Sequence, residues 1–382
     1  MVKYFFIIFF FIIWGITKAQ NQDLESTGVD SLKSAGIVGK LFDFADKTIA
    51  VISTDEWVFL PAAVYSPETS LGLGFRAIRI FKTAQGGNTR PSSIPITILG
   101  TLNKQTLLTV EWERWGKDNE HQLHSRWEFH DFPFRFYGLG STFRSDNFEN
   151  YASKILYGHI QYHKKLGNAW YIGPRLEVGA ENVYQKEEAG LLFQELITGA
   201  NGYFLLGAGA DIILDTRDQI FAPQSGWLSK FSLVSFQEFW GSEFTYTHYT
   251  IDIRKYISFK NHHVLALQSY IDWVSGEVPF QKLPRIGGSD LMRGFFEGKY
   301  RGQRVLVQQA EYRFPVYRNL GMVVYSGLGQ MSYSGTSSII NPPNLSGGIG
   351  FRYKLNKEGL NIRIDIGYGD QRAFYFGLGE VI

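Results

Sequence analysis

Leu360-Asn361-Ile362-Arg363-Ile364-Asp365-Ile366-Gly367 alternates residue by residue, and that alternation decides what this chain can form. Successive side chains of an extended strand point to opposite faces. Leu360, Ile362, Ile364 and Ile366 therefore make one aliphatic row, and Asn361, Arg363, Asp365 and Gly367 make the other. Two environments satisfy such a strand. In a soluble sandwich the aliphatic row is core and the charged row meets water. In a transmembrane barrel the aliphatic row meets lipid and the charged row faces a wet or plugged lumen. Taken alone, the strand is compatible with both.

The same period-two pattern recurs from about residue 70 onward. It predicts strands at 70–81, 92–101, 105–114, 121–131, 133–141, 152–164, 168–180, 202–214, 226–237, 243–257, 262–274, 304–314, 319–331, 346–355, 360–369 and 373–380, sixteen in all. Most are close to the roughly 9–11 residues of a tilted membrane strand. An even number returns both chain ends to one side, as in bacterial barrels. The expected fold is thus all-β, a 16-stranded antiparallel transmembrane barrel. If the first strand runs outward, the long connections 181–201, 275–303 and 332–345 share one end and short turns such as 258–261 and 356–359 share the other. Long loops outside and short periplasmic turns inside is the usual asymmetry.

Composition agrees. Aromatic residues make up 16% and glycine 41 of 382 positions, both high against ordinary usage, where glycine is roughly 7%. Membrane barrels place aromatics in girdles and glycines at bends and turns. The N-terminus reads as a secretory signal peptide over residues 1–19: Lys3, an apolar run from Tyr4 to Ile16, then Thr17-Lys18-Ala19 as the cleavage region. Its removal takes Lys3 and Lys18, so Lys plus Arg falls from 38 to 36 and equals the 36 Asp plus Glu. A neutral mature chain gives no electrostatic case for nucleic acid. There is no cysteine, hence no lipoprotein anchor, disulfide framework or thiolate metal site. Residues 20–67 read as a short periplasmic segment. In it Val38, Leu41, Phe42, Ala45, Ile49 and Ile52 recur at the spacing of one amphipathic helix. The barrel is expected to occupy 68–382.

Three motifs stand out in order along the chain. Asp215-Thr216-Arg217-Asp218 precedes Pro223 and Gly226; Gly287-Gly288 leads through Ser289-Asp290-Leu291-Met292 to Arg293-Gly294-Phe295; and Glu311-Tyr312-Arg313-Phe314-Pro315 follows. Together they resemble the barrel of the outer-membrane assembly-factor superfamily, the BamA/TamA or surface-antigen type. The resemblance covers essentially the whole barrel and implies an outer-membrane protein of a Gram-negative bacterium. Its implied role is to assist insertion or translocation of other outer-membrane or surface proteins. The implied partners are outer-membrane lipids, client proteins and a POTRA-bearing assembly complex. The family's periplasmic POTRA domains do not fit into some fifty residues, which suggests a POTRA-less accessory or specialised member. A passive channel and a structural subunit of a surface complex are the alternatives.

The resemblance also assigns residues. Arg293 is implied to point from the sixth extracellular loop into the lumen, against an acid on the inner wall. Glu311 is the candidate acid and shares a face with Arg313. The family's next strand usually carries an aspartate in a Phe-x-Asp-x-Gly pattern, whereas Tyr325-Ser326-Gly327-Leu328-Gly329 has Gly327 there. Arg293 either staples the loop for stability or serves in gating. Asp215, Arg217 and Asp218 read as a salt-bridged periplasmic turn. Gly72 and Gly74 in the expected first strand, with Gly377 and Gly379 in the last, are expected to meet at the closing seam. There they either weaken a lateral gate or relieve crowding.

Signals for catalysis are poor. His159 and His163 share a strand face, but four strand residues span about 13 Å, too far for one metal. His262 and His263 point to opposite faces, and the histidines overall read as girdle or loop residues. No phosphate loop or nucleophile elbow occurs. The expectation is a non-enzyme without metal or cofactor.

Overall fold

The computed structural model describes residues 57–84, 89–317, 319–333, 343–354 and 361–382. The signal peptide and the amphipathic helix expected between Val38 and Ile52 lie outside the described residues. Leu60–Ile382 form one compact unit, and the other unit contributes only Trp57–Phe59 to the description.

Sixteen strands form the barrel. They are β1 (Trp57–Ser66), β2 (Ser70–Phe81), β3 (Ser92–Thr101), β4 (Thr106–Trp115), β5 (His121–Phe136) and β6 (Glu149–Leu166). Next come β7 (Trp170–Lys186), β8 (Gly202–Asp215), β9 (Gly226–Phe236), β10 (Tyr246–Ser258) and β11 (Val264–Gly276). The last are β12 (Arg304–Tyr317), β13 (Leu320–Ser332), β14 (Asn344–Lys354), β15 (Asn361–Tyr368) and β16 (Arg372–Leu378). Each strand pairs antiparallel with its sequence neighbours, and the sheet closes where β1 meets β16, with Tyr65 opposite Phe376. A two-residue ribbon, Arg285–Ile286 against Tyr300–Arg301, stands apart inside the long β11–β12 connection.

The expected count is right, but two of its members are not. Trp57–Ser66 is a barrel strand, so the barrel begins before residue 68. Its sequence, WVFLPAAVYS, is apolar on both faces and carries Pro61, so no alternation betrays it. Conversely, 121–131 and 133–141 are one strand, which runs through Pro133 opposite Ala152. There β5 has outrun β4, whose pairing ends at Thr106 opposite Asp131. Proline is tolerated at such a free edge. The extra strand reverses the expected direction of the early strands. The 82–91 connection therefore lies at the short-turn end, where Arg90 reaches Asp215 (3.1 Å).

Burial settles the ambiguity of the alternating strand. In β15 Asn361, Arg363, Asp365 and Gly367 are buried, whereas Ile362, Ile364 and Ile366 are half-exposed. In β12 Val305, Val307, Gln309, Glu311 and Arg313 are buried, while Arg304, Gln308 and Tyr312 are exposed. The polar row is the inside. Outside, Leu71, Leu73, Phe75, Trp127, Phe129, Trp170, Ile172 and Leu176 are exposed at alternate positions. Apolar bodies outside and charge inside invert a soluble core and suit lipid. Aromatic pairs mark both rims of the belt: Tyr249 stacks on Trp273 near the long loops (4.6 Å), and Tyr312 lies tilted beside Phe314 near the short turns (5.9 Å).

The interior is filled in two ways. Val278, Phe280 and Leu283 of the β11–β12 loop pack with Phe136, Tyr151, Tyr203 and Phe236 of the inner wall. At the short-turn end Val381 and Ile382 pack on Tyr256 and Ala266. A cavity of about 1330 Å³ remains, lined by charges of both signs, among them Glu128, Arg175, Lys230, Asp252, Asp272 and Arg363.

Candidate functional site

The β11–β12 loop turns back into the barrel through a set of short hydrogen bonds. Gly287 N donates to Leu291 O (3.0 Å), Gly288 N to Phe295 O (3.0 Å) and Phe295 N to Met292 O (3.2 Å). Gly294 takes φ +103, and a Cβ there would lie 2.6 Å from the backbone carbon of Tyr368. Only glycine fits that conformation and that approach. Ile286, Met292 and Phe295 pack with Val305, Val307 and Met331 of the inner wall. The apolar contacts set the depth of the loop, and a polar chain fixes its register. Met292 N donates to Gln309 Oε1 (3.0 Å), Gln309 Nε2 to Gln268 Oε1 (2.8 Å), and Gln268 Nε2 to Asp252 Oδ1 (2.9 Å).

Arg293 stands at the tip of this loop and is 1% exposed. Its Nη2 donates to Glu311 and its Nη1 to Asp365 Oδ2 (2.8 Å), and the guanidinium lies over the Tyr325 ring (3.5 Å to the centroid). The pairs continue. Glu311 also binds Arg313 (3.1 Å), and Asp365 also binds Arg352 (2.7 Å). Glu380 closes the circuit between Arg352 (2.8 Å) and Arg313 (3.7 Å). Arg293, Glu311, Arg313, Glu380, Arg352 and Asp365 thus form a ring of alternating sign. An isolated buried charge is strongly disfavoured, whereas charges paired with opposite charges are tolerated, and here three guanidinium groups meet three carboxylates. The ring joins the loop, three strands and the C-terminal segment into one electrostatic unit.

The expected candidates fall on both sides of this result. Glu311 and Arg313 share the inner face with Arg293, while Asp365, Arg352, Glu380 and Tyr325 were not singled out. Asp365 lay in plain view in the alternating strand, and its place in the polar row was the available signal. Gly327 has its own explanation. A Cβ there would lie 2.9 Å from Met292 Sδ and 2.7 Å from Ser346 Oγ, so the space of a side chain is taken by Met292. Gly327→Asp is accordingly expected to destabilise the barrel by about 2 kcal/mol through overpacking. Adding Met292→Ala is expected to recover part of that loss in urea-unfolding measurements.

The turn after β8 is a carboxylate-centred knot. Arg217 donates to Asp215 through Nε (2.9 Å) and Nη2 (3.1 Å), and Asp218 Oδ1 accepts from the backbone of Gln219, Gln224 and Ser225. The glycines expected at the seam do not meet. Gly72 and Gly74 belong to β2, which is separated from β16 by β1. A Cβ on Gly74 would lie 1.9 Å from Ile98 O in β3. Gly377 lies beside Arg363, and Gly379 follows the end of β16.

The histidines need a partial correction. His159 and His163 are buried on the inner wall, not in a girdle or loop. His163 pairs with Asp211 (3.0 Å) and Gln122 (3.2 Å), and His159 faces His124 (3.3 Å). His263 does sit in a girdle, on the Tyr312 hydroxyl (2.7 Å). Among the described residues no group of three or more His, Cys, Asp or Glu side chains could hold a metal ion.

Comparison with known proteins places this geometry. Among solved structures, the chain is similar to BamA from Haemophilus ducreyi lacking POTRA domains 1-3. The TM-score is 0.59 at 12% identity, over 86% of this chain and 70% of that one. It is also similar to CdiB from Acinetobacter baumannii (TM-score 0.57, 9% identity, 85% of this chain and 60% of that one). A third likeness is to CdiB from Escherichia coli (0.55, 8%, 86% and 63%). At such identities the likeness speaks for the fold. No curated protein matches the sequence. The model of the Omp85 superfamily domain, however, matches residues 137–382, which takes in the Asp215 turn, the Arg293 loop and the strands bearing Glu311 and Asp365. With well over half of its length so matched, the chain belongs to the Omp85 superfamily.

Proposed function

We propose that this protein is an outer-membrane barrel of a Gram-negative bacterium that assists insertion or translocation of other outer-membrane or surface proteins. The observation that carries the reading is Arg293: a charged residue on a long loop, drawn into the lumen and held by two carboxylates of the inner wall. Stability alone does not require such an arrangement, because a well-packed apolar substitute for a buried ion network is often as stable. A loop held by charge can be released and held again. No covalent step is assigned to the protein; its work is binding and steering of extended polypeptide. A sheet seam can admit a client strand by edge pairing, and a polar lumen can pass one. We assign it an accessory or specialised place beside a POTRA-bearing assembly complex, with lipids and client barrels as its other partners.

A passive channel is the second reading, favoured by the 1330 Å³ cavity with its mixed charges. Affinity purification from gently solubilised outer membranes separates the two. Recovery with a POTRA-bearing protein is the expected result. Recovery alone favours the channel.

A further inference from the structure

The Arg293 loop touches the barrel at a second place, the joint where β16 meets β1. Gly294 N donates to the Tyr375 hydroxyl of β16 (3.0 Å), and Gln371 N, just before β16, donates to Gly294 O (2.9 Å). Three residues on, Glu297 N donates to Glu68 Oε1 (2.9 Å). Glu68 lies in the tight turn between β1 and β2. The loop thus grips the last strand with one amide and the first hairpin with another. Both receiving groups are held in place. Tyr375 is 1% exposed. The Glu68 carbonyl accepts from Asn103 Nδ2 (3.0 Å) and Gln105 Nε2 (3.2 Å) in the next turn, and Glu297 is itself paired with Arg285 (2.9 Å).

We propose that residues 294–297 are a clasp across the closing seam, so that β1 and β16 can part only when the Arg293 loop shifts. The inference deepens the client-handling reading, which supplies its purpose, but it is tested by the seam itself. A clasp has two jaws, and weakening either loosens the joint. Two independent hydrogen bonds add instead. Burial also pushes the Glu68 carboxyl above the usual carboxylate range.

Hydrogen-exchange mass spectrometry on the purified full chain in lipid nanodiscs provides the test. Glu68→Ala and Tyr375→Phe, each of which removes one acceptor, are each expected to speed exchange of β1 and β16 amides about tenfold, the equivalent of one hydrogen bond. The double variant is expected to add little more. Glu68→Gln, which keeps the acceptor, is expected to match the parent protein, and β8 and β9 are expected to be unchanged in every variant. Unchanged seam protection in both single variants would overturn the clasp. A double variant near a hundredfold would also overturn it, since the two bonds would then act separately. Because client delivery is not read, failure here leaves the proposed function standing, and failure of client handling leaves the clasp standing.

Discussion

Arg293→Met is expected to free the loop from the inner wall and to cost about 3 kcal/mol of barrel stability, the lower end of what breaking a buried ion pair costs. The low end applies because neither carboxylate is orphaned. Glu311 keeps Arg313 and Asp365 keeps Arg352. The ring is nevertheless left with three carboxylates and two guanidinium groups, one uncompensated charge in a dry place. Asp365→Asn in the same chain removes that excess. The double variant is therefore expected to lose less than the sum of the two single losses, as members of one network do. Arg293→Lys tests geometry. It keeps the charge but lacks the planar fork that reaches two acids at once and lies flat over Tyr325, so an intermediate loss is expected. Urea unfolding in lipid vesicles measures the stabilities, and proteolysis at Lys299 reports the freed loop. Strictly additive losses would mean that the six residues are separate pairs sharing a neighbourhood.

Periodicity carries part of this site and not the rest. Alternation located fourteen of the strands and split a fifteenth in two, because a barrel wall repeats one rule: apolar out, polar in. It failed where that rule is locally suspended. β1 is apolar on both faces, and β5 passes a proline at an edge that β4 has already left. The two errors cancelled in the count but not in the topology. One unseen strand placed the seam glycines on strands that are not neighbours. The loop was marked by Arg293-Gly294-Phe295, and Glu311 lies only eighteen residues further on. Asp365, seventy-two residues from Arg293, and Glu380 meet the network through barrel closure. No local pattern encodes that meeting. Alternation gave their face, and the register between strands gave their partners.

A disulfide across the true seam is expected to abolish client handling while leaving the barrel folded. Tyr65 and Phe376 face each other where β1 meets β16, and directly opposed antiparallel residues lie about 4.5–5.5 Å apart at Cα, within disulfide range. The chain contains no cysteine, so Tyr65→Cys with Phe376→Cys can form one intramolecular bond only. Cells relying on the oxidised variant are expected to lose client proteins from the outer membrane, as read by surface proteomics, and a reductant is expected to restore them. A passive channel would keep its conductance in both states, and undiminished client delivery by the oxidised form would remove the seam from the mechanism. The contrast rests on the kind of bond being opened. Ladder hydrogen bonds are worth about 1 kcal/mol each in net terms. An incoming edge strand can replace them one for one as it displaces β1 from β16. A covalent bridge has no such replacement, so a seam that works by exchange of partners stops when its two strands can no longer change them.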